Sequence, residues 1–262
     1  MAPFELIDPS YAASGLGVGL LVGLTGVGGG SLMTPLLVLL FGVHPTTAVG
    51  TDLLFAAVTK SVGTAAHGLG GAVEWRVTGR LAAGSVPATA ACVLALSRLV
   101  TPGPAVEHLI AVVLGVALLL TAGSLLFRAR LVAYVARRFG APRPERAAAL
   151  TVATGALLGV LVALSSIGAG ALGVTVLVLL YPRLPTARIV GSDIAHAVPL
   201  TLIAGLGHWY LGAVDWALLA SLLAGSVPGI VAGSLLATRV PELVLRPMLA
   251  GTLLLVGARL VA

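Results

Sequence analysis

"GLTGVGGGSLMTP", residues Gly23 to Pro35, lies inside one of the most apolar stretches of a 262-residue chain. The surrounding run extends from Tyr11 to Phe41. A single helix of that length would measure ~46 Å, against a bilayer hydrocarbon core of ~30 Å. Gly28, Gly29 and Gly30 sit near its middle, where each glycine costs about 1 kcal/mol relative to alanine in a helix interior. The run reads as a helix with a break built into it, at which the chain tilts severely or folds back.

The rest of the composition places that break in a membrane. The chain is 58% hydrophobic and 9% charged, with mean hydropathy +1.11, whereas soluble domains carry about 25% charged residues. Apolar runs of spanning length recur throughout, without the alternating short segments of a β-barrel. An all-α integral membrane protein without a separate soluble domain follows. The opening "MAPFELIDPS" has no Lys or Arg, unlike the basic start of a cleaved signal peptide. Cys92 is the sole cysteine, so an intramolecular disulfide is impossible; no metal or cofactor is expected. The net charge of +6 comes mostly from arginines between apolar segments, where they fix orientation and meet lipid headgroups rather than nucleic acid.

Two halves of the chain repeat each other. "AVGTDLL" (Ala48–Leu54) matches "IVGSDIA" (Ile189–Ala195), His67 matches His208, Trp75 matches Trp216, and "GSVP" at Gly84 recurs at Gly225, all at one common offset. Upstream, "GVGGG" (Gly26–Gly30) matches "SIGAG" (Ser166–Gly170) with the offset shorter by a single position. Residues 1–127 form the first repeat, 128–146 a basic linker and 147–262 the second repeat. Each half offers a long broken segment followed by three transmembrane helices.

Arginine placement distinguishes two topologies. If each leading segment crosses once, the two faces hold nine and five arginines; if each is a hairpin returning to its own side, they hold twelve and two. The positive-inside rule favours the hairpins, with both termini outside and the linker cytoplasmic. The resulting odd number of crossings makes the repeats inverted. Inverted repeats with interrupted helices are typical of transporters whose site lies near the midplane.

The "GVGGGSLMTPLL" and "AVGTD" segments and their echoes resemble the TauE/SafE family of sulfite-exporter-like permeases, over nearly the whole chain. Gly26, Gly28, Gly29, Gly30 and Pro35 match its glycine-rich motif; half two departs, with Ala169 in the cluster and Thr175 opposite Pro35. The resemblance implies a permease of a bacterial cell membrane that exports small sulfur-containing anions such as sulfite, thiosulfate or organosulfonates.

The residues suggest how an anion would be held. A broken helix leaves backbone N–H groups unpaired at a positive dipole end, and glycine lets an anion approach them. Gly28, Gly29, Gly30, Ser31 and Thr34, with Thr51, in half one, and Ser165, Ser166, Gly168 and Gly170, with Ser192, in half two, are substrate-binding candidates; the competing reading for the glycine breaks is close helix packing through small residues. Lys60 is the only lysine and lies inside an apolar segment, where a charge costs about 2.5–3.5 kcal/mol. Thr64 and His67 share its helix face. The alternative is a lysine that reaches the interface or pairs structurally with Asp52 or Asp193. These aspartates occupy equivalent positions behind Thr51 and Ser192, where they can cap helices or act as counter-charges. Asp193 and His196 are three residues apart and could form a proton-sensitive pair.

An exporter working by alternating access is the leading reading. The inside-negative potential favours anion efflux by ~2.3 kcal/mol per charge per 100 mV, so export can run without ion coupling. A proton- or sodium-coupled importer would use Asp52, Asp193 and His196. An enzyme is disfavoured because no G-x-S-x-G nucleophile motif is present. A channel, a non-transporting membrane protein and a homo-oligomer stay open.

Overall fold

The computed structural model describes residues 7–25, 30–69, 71, 73–99, 103–140, 142–236 and 242–261. Among these the chain forms ten helices and no strand: α1 (Pro9–Thr25), α2 (Gly30–Phe41), α3 (Pro45–Leu69), α4 (Trp75–Leu99), α5 (Pro104–Phe139), α6 (Pro144–Ser165), α7 (Ala171–Leu180), α8 (Thr186–Tyr210), α9 (Trp216–Leu236) and α10 (Glu242–Val261). Five of the described helices, α4, α5, α6, α8 and α9, are long and apolar enough to cross a membrane. At 25 residues α3 is as long, but it carries Asp52, Lys60 and five threonines, and these lower its hydropathy.

Both leading segments fold back. In half one the rings of Tyr11, at the start of α1, and Phe41, at the end of α2, meet with centroids 4.7 Å apart. In half two the Tyr181 hydroxyl, just past α7, lies 2.8 Å from Thr151 Oγ1 near the start of α6. The returning arms have 12 and 10 residues; at about 1.5 Å per residue they reach roughly 18 and 15 Å, well short of the ~30 Å core. The second break is well defined. Ser166 turns left-handed at φ 59°, and its N–H donates to Val162 O at 2.8 Å. Gly168 (φ 134°) and Gly170 (φ 125°) follow, in backbone regions that side chains exclude. The first break, including Gly28 and Gly29, lies outside the described residues.

The basic linker is mostly not a loop. α5 runs for 36 residues to Phe139, about 54 Å, so its last turns extend beyond any bilayer core. Alanine, leucine, valine and arginine sustain a helix. The run ends at Gly140, with φ 64°, and Pro144 then opens α6.

The halves interlock, because each leading helix packs on the other half. On α1, a Cβ at Gly15 would meet Leu222 O at 2.2 Å and one at Gly19 would meet Ser226 O at 2.5 Å, so α1 runs parallel to α9. On α6, Gly155 faces Leu81 O at 2.1 Å and Gly159 faces Ser85 O at 2.6 Å, so α6 runs parallel to α4. The return contacts also correspond: Gly225 lies on Ala12 and Gly84 on Val152. In contrast, α3 and α8 run antiparallel, with Gly50 beside Ala213 and Gly205 beside Leu54. Small residues bring these backbones close enough for dispersion to hold them without a hydrophobic driving force. Phe55, Met33, Leu37 and Leu222 fill one core where α2, α3 and α9 meet.

Candidate functional site

The antiparallel packing of α3 against α8 brings their charged residues together in the interior. Asp52 is 0% exposed, Asp193 1%, His196 0% and Lys60 6%. Lys60 is within electrostatic reach of Asp193, Asp52 and His196, though not in ion-pair contact with either carboxylate among the described residues. The Lys60 side chain is enclosed by protein rather than exposed. Among the described residues it is the one cation placed among two carboxylates, and its equivalent in half two is Thr201, which donates to Ala197 O at 2.8 Å on its own helix.

The short helices deliver their N-terminal ends to the carboxylates. Asp52 accepts a hydrogen bond from the Thr34 hydroxyl in the first turns of α2. It also faces the buried Ser166 hydroxyl, which makes no hydrogen bond of normal geometry. Asp193 lies against the start of α7: the Gly170 N–H is directed at it, and a Cβ on Gly173 would meet its Oδ1 at 2.0 Å. Neither Asp193 oxygen has a hydrogen bond of normal geometry. The second helix break, where the sequence leads one to expect an anion, is therefore faced by a carboxylate of the protein itself.

The other candidate residues divide by what their polar atoms do. Thr51 Oγ1 accepts the Asp215 N–H at 3.1 Å, and Ser192 Oγ accepts the Glu74 N–H at 2.8 Å. These two bonds, equivalent under the repeat, tie the loops before α9 and α4 to the opposite half. The Ser165 hydroxyl donates to Leu161 O at 2.7 Å and accepts from the Ile167 N–H at 3.2 Å, so it shapes the break. His196 does not pair with Asp193; its Nε2 lies 2.8 Å from Ser85 Oγ on α4. The side chains of Ser31 and His67 lie outside the described residues, whereas Gly30 is placed as the first residue of α2. Ser85 is the polar partner that sequence reasoning left out of the site; Thr34, expected as a hydroxyl donor beside the glycine break, donates to Asp52.

A separate cavity of about 220 Å³ opens where the starts of α3 and α5 meet the end of α8, lined by Thr46, Thr47, Glu107 and His208 among others. There His208 Nε2 donates to Ala163 O at 2.8 Å, which fixes the neutral ring as the Nε2–H tautomer. Elsewhere, Arg188 and Glu74 approach to 3.7 Å and Arg80 donates to the Tyr181 hydroxyl at 3.2 Å.

Residues 11–260 match the family described as sulfite exporter TauE/SafE. The chain is 38% identical over 253 residues to the probable membrane transporter protein YjnA of Bacillus subtilis, covering 96% of this chain and 99% of that protein. It is 31% identical over 224 residues to a probable membrane transporter protein of Xylella fastidiosa, covering 81% of this chain and 78% of that one. No solved structure matches the chain.

Proposed function

Because the chain belongs to the sulfite exporter TauE/SafE family, we propose that it is a membrane carrier exporting small sulfur-containing anions by alternating access. The observation that carries this reading is the burial of Lys60, 6% exposed, between two helices that each meet the N-terminal end of a short re-entrant arm. A lone ammonium and a helix N-terminus are the two fixtures that an anion requires inside a low-dielectric interior. The family description supplies the chemical class of the anion.

The two halves act as inverted repeats about this centre. Supporting this, α1 and α6 contact α9 and α4 through corresponding residues, and the equivalent helices α3 and α8 run antiparallel. The protein sits in a bacterial cell membrane with its termini outside and residues 128–146 in the cytoplasm, as the arginine distribution favours. Rocking of one set of interlocked helices against the other exposes the centre to each side in turn.

The test is counterflow of sulfite and thiosulfate in proteoliposomes, comparing the unaltered protein with Lys60→Ala and Gly29→Leu. Saturable exchange that both substitutions reduce at least tenfold is expected. Exchange that neither substitution alters would place the site elsewhere, and linear, unsaturable flux would mean a channel.

A further inference from the structure

We propose that Asp193 is an internal stand-in for the transported anion, displaced from Lys60 and the start of α7 when the anion binds, and that the freed carboxylate then takes up one proton. This rests on the anion-carrier reading above and adds a coupling ion to it. Three observations carry it. Asp193 lies at the α7 N-terminus, against Gly170 and Gly173, where a small oxyanion would lie. It shares Lys60, the only lysine in the chain. Finally, both its oxygens are buried without a hydrogen bond of normal geometry, with the Gly170 N–H directed at them, whereas one oxygen of Asp52 is bonded by Thr34.

Charge counting gives the stoichiometry. With both carboxylates ionised, an arriving monoanion would leave three negative charges around one ammonium in an interior that tolerates uncompensated charge poorly. If Asp193 takes a proton from water on the open side as the anion replaces it, one negative charge enters and one is neutralised. The charge of the centre is then the same before and after, whatever the state of Asp52. No covalent bond changes other than the O–H bond formed on Asp193 and broken when the anion leaves.

The titratable groups around Asp193 do not offer a better acceptor. Among the described residues they are Lys60 and Asp52 from α3, and from α8 itself Arg188, which lies 3.7 Å from Glu74, Tyr210, which is exposed, His196 and His208. The Nε2 atoms of the two histidines meet Ser85 and Ala163 while their Nδ1 atoms have no hydrogen bond; a proton on either ring would leave the carboxylate freed from Lys60 uncompensated. Neither α2 nor α7 has a titratable side chain. On α4, Arg80 is bound to Tyr181, Arg76 and Arg98 are exposed, and Cys92 packs against the Val49–Leu53 core. On α6, Glu145 and Arg146 are exposed.

One proton per monoanion makes transport electroneutral. Membrane voltage then drops out as a driving force, and export runs on accumulation of the anion inside, against or with the pH difference. The experiment uses methanesulfonate, a permanent monoanion that carries no proton of its own, in proteoliposomes holding a trapped pH dye. Lumenal acidification of one proton per methanesulfonate taken up is expected, with an initial rate that changes less than twofold when a membrane potential is imposed. Asp193→Asn is expected to bring the protons moved per anion from one to zero and to make the remaining flux follow voltage. Wild-type flux that follows voltage without lumenal pH change overturns the coupling alone. Coupling that persists at one proton in Asp193→Asn overturns the assignment to Asp193. Absence of any flux of methanesulfonate or sulfite overturns the anion-carrier reading, and this inference falls with it.

Discussion

The Tyr181 hydroxyl lies 2.8 Å from Thr151 Oγ1, and in the first repeat the equivalent positions are filled by Phe41 and Tyr11, whose rings meet at 4.7 Å. One hairpin is closed by a hydrogen bond and the other by an aromatic contact. Tyr181→Phe removes the bond to Thr151 and the acceptor for Arg80. A loss of about 1 kcal/mol per hydrogen bond is expected, seen as a lower melting temperature in detergent. An unchanged melting temperature would mean that the hairpin is held by packing alone.

The crossed helix pairs leave no room for side chains. A Cβ on Gly84 would lie 1.9 Å from Val152 O, and one on Gly225 would lie 1.8 Å from Ala12 O. Gly84→Val and Gly225→Val should each force the helices apart, at a cost of about 1–3 kcal/mol or more, and reduce the monodisperse fraction on size exclusion. Gly79→Ala, with nothing within 4 Å of its added carbon, should behave as the unaltered protein.

His196 depends on a serine from the other half. Ser85→Ala strands a ring nitrogen in a site with no exposure, which costs about 1–3 kcal/mol. The same substitution at the equivalent Ser226, whose hydroxyl makes just the long 3.5 Å bond to Leu223 O among the described residues, should cost much less. Paired thermal unfolding measurements decide this, and equal losses would count against the His196–Ser85 bond.

Orientation is tested by replacing Cys92 with serine and placing single cysteines at Thr46 and Gly140 for labelling with an impermeant maleimide. The hairpin topology requires label from outside at position 46 and from the cytoplasm at position 140. Label from one side at both would make the halves parallel rather than inverted.

Lys60, Asp52 and Asp193 were legible in the sequence because charge inside an apolar run is conspicuous whatever the fold. The fold-back of the leading segments was legible too, through the excess length of Tyr11–Phe41. What Asp193 faces was not, since that depends on how α8 packs against α7, and no local pattern records a tertiary contact. Thr51 and Ser192 looked like site residues by adjacency to the aspartates, but successive residues on a helix point about 100° apart. Their hydroxyls accept loop N–H groups from the opposite half. The helical part of the linker was hidden by its charge, which arginine brings without weakening a helix.

The docking of α1 on α9 has a consequence for biosynthesis. The glycine face of α1 is complete by Thr25, while its partner begins only at Trp216. At about 5–20 residues per second over roughly 190 residues, the first helix waits on the order of 10–40 s in the membrane with Gly15 and Gly19 unmatched. The duplicated halves are therefore not two units that fold in turn; a fragment lacking α9 leaves α1 without its seat, and the fold can close only once α9 has been made.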